Sequence, residues 1–212
     1  MHYPYQAPAQ PLYERPAPPP AAWVSWVILA SAIGGVLGMM GGVAMMVVVG
    51  IANDNGDHDL DALGGLGGLV FLLSFAFLAV KFVVRLIWLH GCWSWLPPEH
   101  RVTSSGKRVT PGTAVGFLFI PYFNMYWMFV AYVGLCDVLD RFVQHYRTPT
   151  RAPRGLAIGA CVCELLPFAN LLIAPFLWFF VVSRVTKTTT EIAQAMSIEK
   201  GPRGFTTPGA AY

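Results

Sequence analysis

Charge is what this sequence has least of. Only 12% of its 212 residues are Asp, Glu, Lys or Arg, against about 25% in an ordinary soluble domain. No Lys or Arg occurs between Pro16 and Val80. Cysteine is scarce as well: Cys92, Cys136, Cys161 and Cys163 are the full set, and none falls in the acidic stretch Ala52–Ala62. No structural disulfide is expected. No glycine-rich phosphate loop follows a strand, and no Ser/His/Asp or metalloprotease pattern occurs. These absences exclude the common enzyme signatures, and neither enzymatic activity nor a cofactor is expected. The pairs His90-x-Cys92 and Cys161-x-Cys163 lack zinc-site spacing. The run Asp57-x-Asp59-x-Asp61 lacks the glycine and terminal glutamate of a calcium loop. No metal is expected. The start of the chain lacks the basic head and short apolar run of a cleavable signal.

Long apolar runs fill the chain instead. Hydrophobic residues make up 55% of it, and mean hydropathy is +0.53. They predict an all-α, multi-pass integral membrane protein with four hydrophobic segments, at residues 21–51, 63–90, 113–146 and 155–183. The helical membrane domain covers residues 21–198. The Pro-rich stretch 1–20 and the tail 199–212 are expected to be disordered. A partner protein that reads proline-rich peptide is the one protein partner the N-terminal stretch suggests.

The first segment covers about 45 Å as a helix, enough to cross a bilayer with tilt. Gly34, Gly38 and Gly42 recur every fourth residue and mark a helix-packing face. The second segment opens with Gly64–Leu69, a matching small surface, so packing of these two helices on each other is favoured over self-association. Lys81 and Arg85 then lie one turn apart and can snorkel to headgroups. Trp88, Trp93 and Trp95 read as an interfacial aromatic belt.

Basic residues cluster in Lys81–Gly112, in Asp137–Arg154 and after Arg184, whereas Asp54, Asp57, Asp59 and Asp61 carry the only charges of loop 52–62. Positive charge stays inside. The loop 52–62 is therefore placed outside and both termini in the cytoplasm. Anionic lipid headgroups, and not nucleic acid, are the expected partners of the basic stretches.

The last two segments share an echo. One contains Pro121-Tyr122-Phe123-Asn124 and the other Pro167-Phe168-Ala169-Asn170. Proline inside a helix removes a hydrogen bond and clashes with the preceding turn, at about 3 kcal/mol. An asparagine three residues later can cap a new helix. The pattern predicts helix breaks at Pro121 and Pro167. Full crossings would carry Arg141, Arg147, Arg151 and Arg154 outside, so broken or re-entrant hairpins fit the charge better. A simple kink at each proline is the plainer alternative.

The run Pro111-Gly-Thr-Ala-Val-Gly-Phe-Leu-Phe-Ile-Pro-Tyr-Phe-Asn-Met-Tyr-Trp127 resembles a block in uncharacterised bacterial multi-pass membrane proteins. Those carry an Ala-Val-Gly-Phe-x-Phe-Ile-Pro-Phe-Phe-Asn-x-Tyr-Trp motif. The likeness covers Lys107–Arg141 and departs at Tyr122, where the motif has Phe. It implies a bacterial cytoplasmic (inner) membrane and supplies no activity.

Glu164 is the one acid well inside an apolar segment, and an embedded carboxylate is costly enough to be a functional candidate. It could bind a cation, carry a proton, or simply pair with Lys81 or Arg85. Asn124, Asn170, Tyr122 and Tyr126 are its candidate companions in a polar intramembrane site. Two functions remain open: a structural, scaffolding or sensory membrane protein, or a small transporter or channel-like protein built on that site.

Overall fold

The structure, a computed structural model, describes residues 21–54 and 61–199. The proline-rich stretch 1–20, Asp57 and Asp59 of the acidic loop, and the tail beyond Glu199 lie outside the described residues.

Those residues form helices and turns, with one isolated antiparallel bridge between Val102 and Arg108. Helices α1 (Trp23–Asp54) and α2 (Asp61–Trp95) are the two, among the described residues, that are long and apolar enough to cross a membrane. The third and fourth segments do not form such helices. Each is cut at its proline.

Helices α1 and α2 pack antiparallel along a glycine seam. Gly34 faces Phe77, Gly38 faces Ser74, and Gly42 faces Gly67 and Phe71. A Cβ on Gly42 would sit 2.8 Å from both the Gly67 carbonyl oxygen and the Phe71 backbone nitrogen. Backbone on the far side cannot swing away, so only hydrogen fits there. Ser31 and Ser74 donate to Val27 O and Phe71 O, each at 2.5 Å, which satisfies their hydroxyls within an apolar helix.

The chain also buries a sizeable core, at the end of the hairpin where α2 finishes. Trp88, Leu89, Cys92, Trp93 and Trp95 of α2, with Leu96 just after it, pack there with Val24 and Ile28 of α1 and with the later helices. This corrects the aromatic-belt reading. Trp88 and Trp93 are covered by the later helices; Trp93 Nε1 donates to Ala131 O at 3.1 Å and Trp88 Nε1 to Thr186 Oγ1 at 3.4 Å. Trp23 and Trp26, by contrast, are exposed. Pro97 and Pro98 stop α2, and the Arg101 guanidinium donates to carbonyls at and just past that end, Ser94 O at 3.0 Å and Leu96 O at 2.8 Å.

The third segment starts at α3 (Pro111–Gly116), whose N-terminus is closed by reciprocal bonds between Thr110 and Thr113. A 3₁₀ turn, Phe117–Phe119, leads to the break at Ile120–Tyr122. Helix α4 (Phe123–Met128) then continues through a π-helical turn, Phe129–Val133, into α5 (Gly134–Tyr146). At the break the Phe123 N–H donates to Pro121 O at 2.7 Å, which holds Tyr122 at φ 61° and ψ −40°. That conformation is strained for any residue with a Cβ. Tyr122→Gly removes the strain without loss of packing, since the side chain is 88% exposed. It should raise stability in detergent by about 1 kcal/mol, measured by thermal unfolding; a loss of that size would contradict the strain.

The fourth segment repeats the plan. Helix α6 (Arg154–Leu165) ends, Leu166 is extended, and Pro167 begins α7 (Pro167–Leu172) at the position where a missing N–H costs nothing. Ile173 then interrupts the run, and α8 (Ala174–Glu199) starts with Pro175 in its first turn. The capping role read into the two asparagines is wrong. The N-cap residues are Tyr122 and Leu166, neither with a side-chain cap bond. Asn124 and Asn170 sit inside the new helices, because the turn falls on Tyr122, just after Pro121, and on Leu166, just before Pro167, leaving each asparagine within the first helical turn.

Candidate functional site at the helix breaks

Both breaks lie beside the middle of α2. The Phe119 ring meets Phe82 edge-on, centroids 5.9 Å apart. The other ends of these helices lie together near the buried core: Ser104 and Arg154 both bond Asp137, at 2.5 and 3.0 Å, and Arg141 donates to Val102 O. Asp140 accepts from the Ala152 N–H at 3.0 Å, and Glu191 accepts from Thr150 N–H and hydroxyl at 3.1 and 2.7 Å. The acidic residues thus tie the connector after α5 to α5 and α8. With its two ends held on one side, each interrupted segment runs out to a tip and back.

A cavity of about 550 Å³ opens where the tips meet α1 and α2. Its polar lining is Lys81 and Arg85 from α2, Asn124 from α4, Glu164 from α6 and Asn170 from α7. Arg85 Nη1 forms a salt bridge with Glu164 Oε1, and their side chains are 8% and 12% exposed. The Arg85 guanidinium also lies over the Trp178 ring, 4.6 Å from its centroid, and 5.6 Å from that of Tyr132. Those rings touch each other at 4.5 Å. One cation therefore links α2, α6, the π turn and α8.

Lys81 lines the same cavity but takes part in no ion pair among the described residues. With Glu164 committed to Arg85, the ionised forms leave the cavity one positive charge in excess. The Asn170 amide oxygen is buried without a hydrogen-bond partner.

Of the residues singled out in the sequence, Glu164, Asn124, Asn170 and Pro167 meet in this cavity; Pro121 is not among its lining residues. Tyr122 does not join them; it is exposed at the first tip. Tyr126 lies elsewhere too, bonded through its hydroxyl to Lys107 Nζ, with the ammonium 4.4 Å from its ring centroid. Trp178 and Tyr132 escaped sequence reading altogether, because no local pattern marks an aromatic that will cover a distant arginine. Among the described residues no cluster of three or more His, Cys, Asp or Glu could hold a metal ion. No protein-family model, curated protein or solved structure matches the chain.

Proposed function

We propose that this is an integral membrane protein that holds an anionic group in the cavity, at the cytoplasmic edge of the bilayer. In this reading α1 and α2 cross, the two breaks are re-entrant tips, and α5 and most of α8 are cytoplasmic. The convergence of Lys81, Arg85, Glu164, Asn124 and Asn170 from four helices into one cavity carries the ligand-holding part. An asparagine pair and a spare ammonium offer donors, which suit a negative charge.

The membrane part is supported by exposure. In the most apolar windows of α1 and α2 only 22% and 17% of residues are buried, where a core helix of a soluble protein would be mostly covered. Leu37, Met40, Val47, Leu69, Leu72 and Leu73 all face outward on the hairpin beyond the cavity. Contiguous apolar surface on that scale is uncommon in water. At the tips, Tyr122 and Phe168 are 88% and 83% exposed. The likeness of Pro111–Trp127 to bacterial membrane proteins points to the inner membrane, with both termini and the basic stretches inside and loop 52–62 outside.

A structural or scaffolding role is the second reading. The observation favouring it is that Arg85 and Glu164 already satisfy one another.

Topology is tested by a single reporter, Arg147→Cys, in a chain with Cys163→Ala. The remaining cysteines are buried, and burial, with Asp140 and Asp137 beside it, pushes the Cys136 thiol up, so it stays protonated and slow to react. The reporter should react with an impermeant maleimide only after the membrane is opened. Labelling in intact cells would overturn the re-entrant arrangement.

A further inference from the structure

We infer that the ligand of this cavity is the headgroup of a membrane phospholipid carrying one negative charge, a phosphodiester, taken from the cytoplasmic leaflet. The inference rests on the membrane reading above and specifies its ligand.

Depth is the first argument. The uncharged run of α2 from Ala62 to Val80 covers about 28 Å as a helix, close to the hydrocarbon thickness of about 30 Å. That puts Lys81 at the inner boundary of the hydrocarbon, from which its long stem reaches the layer of lipid phosphates. The second argument is the shape of the lining. Charged and amide groups share the cavity with Phe82, Met125, Leu165 and Leu171, which are themselves exposed. Those four belong to the apolar outer surface. A ligand with its charge at Lys81 can therefore leave along an oily rim, as an acyl chain would, whereas a free anion gains nothing from it. Charge count is the third. Lys81 supplies the one positive charge left after Arg85 and Glu164 pair, which balances a phosphodiester. A doubly charged phosphomonoester would leave a negative charge beside the Glu164 carboxylate. The Asn124 and Asn170 amides add neutral donors and acceptors for the ester oxygens and headgroup hydroxyls.

The test uses the full chain, purified and placed in nanodiscs of phosphatidylcholine alone or with one quarter phosphatidylglycerol. Readouts are thermal unfolding and the lipid that stays bound after detergent exchange, counted by mass spectrometry. The wild-type chain should unfold at higher temperature in the phosphatidylglycerol discs and retain that lipid in preference. Lys81→Gln should lower its retention about tenfold, the effect of losing one charge-assisted contact, and Lys81→Arg should keep most of it. Arg184→Gln, a basic change outside the cavity, should retain phosphatidylglycerol as wild type does. Equal retention by Lys81→Gln and wild type overturns the proposal. So does equal stabilisation of detergent-solubilised protein by inorganic phosphate, which would mean a site for free anions. A chain that never enters the discs is a separate failure, since it removes the bilayer from the reading and not just the lipid from the cavity.

Discussion

Glu164→Leu should lower the stability of the detergent-solubilised protein by about 3–5 kcal/mol, because it leaves the Arg85 charge buried without its partner. Arg85 has few other ways to be satisfied. Its Nε has no hydrogen-bond partner, and beside Glu164 its guanidinium lies over the Trp178 and Tyr132 rings. A cation over an aromatic ring contributes about 0.5–2 kcal/mol, too little to offset the loss of the carboxylate. The double replacement Arg85→Met with Glu164→Leu removes both charges and keeps the volume apolar, so it should recover most of the loss. Denaturation in mixed micelles, followed by the fluorescence of the seven tryptophans, Trp178 among them, measures all three proteins. If Glu164→Leu unfolds at the wild-type midpoint, the pair does not hold α2 and α6 together. Should the double replacement be no better than the single one, the loss comes from packing and not from an abandoned charge.

Gly42→Val should be the most damaging change on the α1–α2 seam, at about 1–3 kcal/mol. Its Cβ would press on the Gly67 carbonyl and the Phe71 nitrogen, both 2.8 Å away, and two backbones would have to separate along several turns. Gly41→Ala is the matched control. Nothing lies within 4 Å of its Cβ position, so it should unfold within about 1 kcal/mol of wild type, with helix propensity in its favour. The same denaturation assay compares them. Equal behaviour of Gly41→Ala and Gly42→Val would mean that the two helices are not held at glycine distance.

Much of this architecture is legible in local sequence. The two long helices follow from uninterrupted apolar runs. The positions of the breaks follow from Pro121 and Pro167, since proline removes a helix bond wherever it falls inside one. Glu164 stands out because a carboxylate in apolar surroundings needs a partner, and Lys81 and Arg85 are the cations the sequence offers it. The asparagines do not cap, because proline fixes only roughly where the turn lies and the register of the next helix depends on how the chain closes over Tyr122 and Leu166. Trp88, Trp93 and Trp95 depart from the belt pattern for another reason. Their placement depends on whether later helices cover them, which residues near them in the chain do not encode.

What the sequence determined by itself is therefore the helical class, the two long apolar helices and the sites of interruption, all set by short-range chemistry of proline and apolar side chains. Tertiary structure alone decided that Arg85, and not Lys81, takes Glu164, and that both asparagines turn toward one cavity. Those outcomes rest on contacts between residues as far apart as Arg85 and Glu164, and the choice among such contacts is made only when the helices pack.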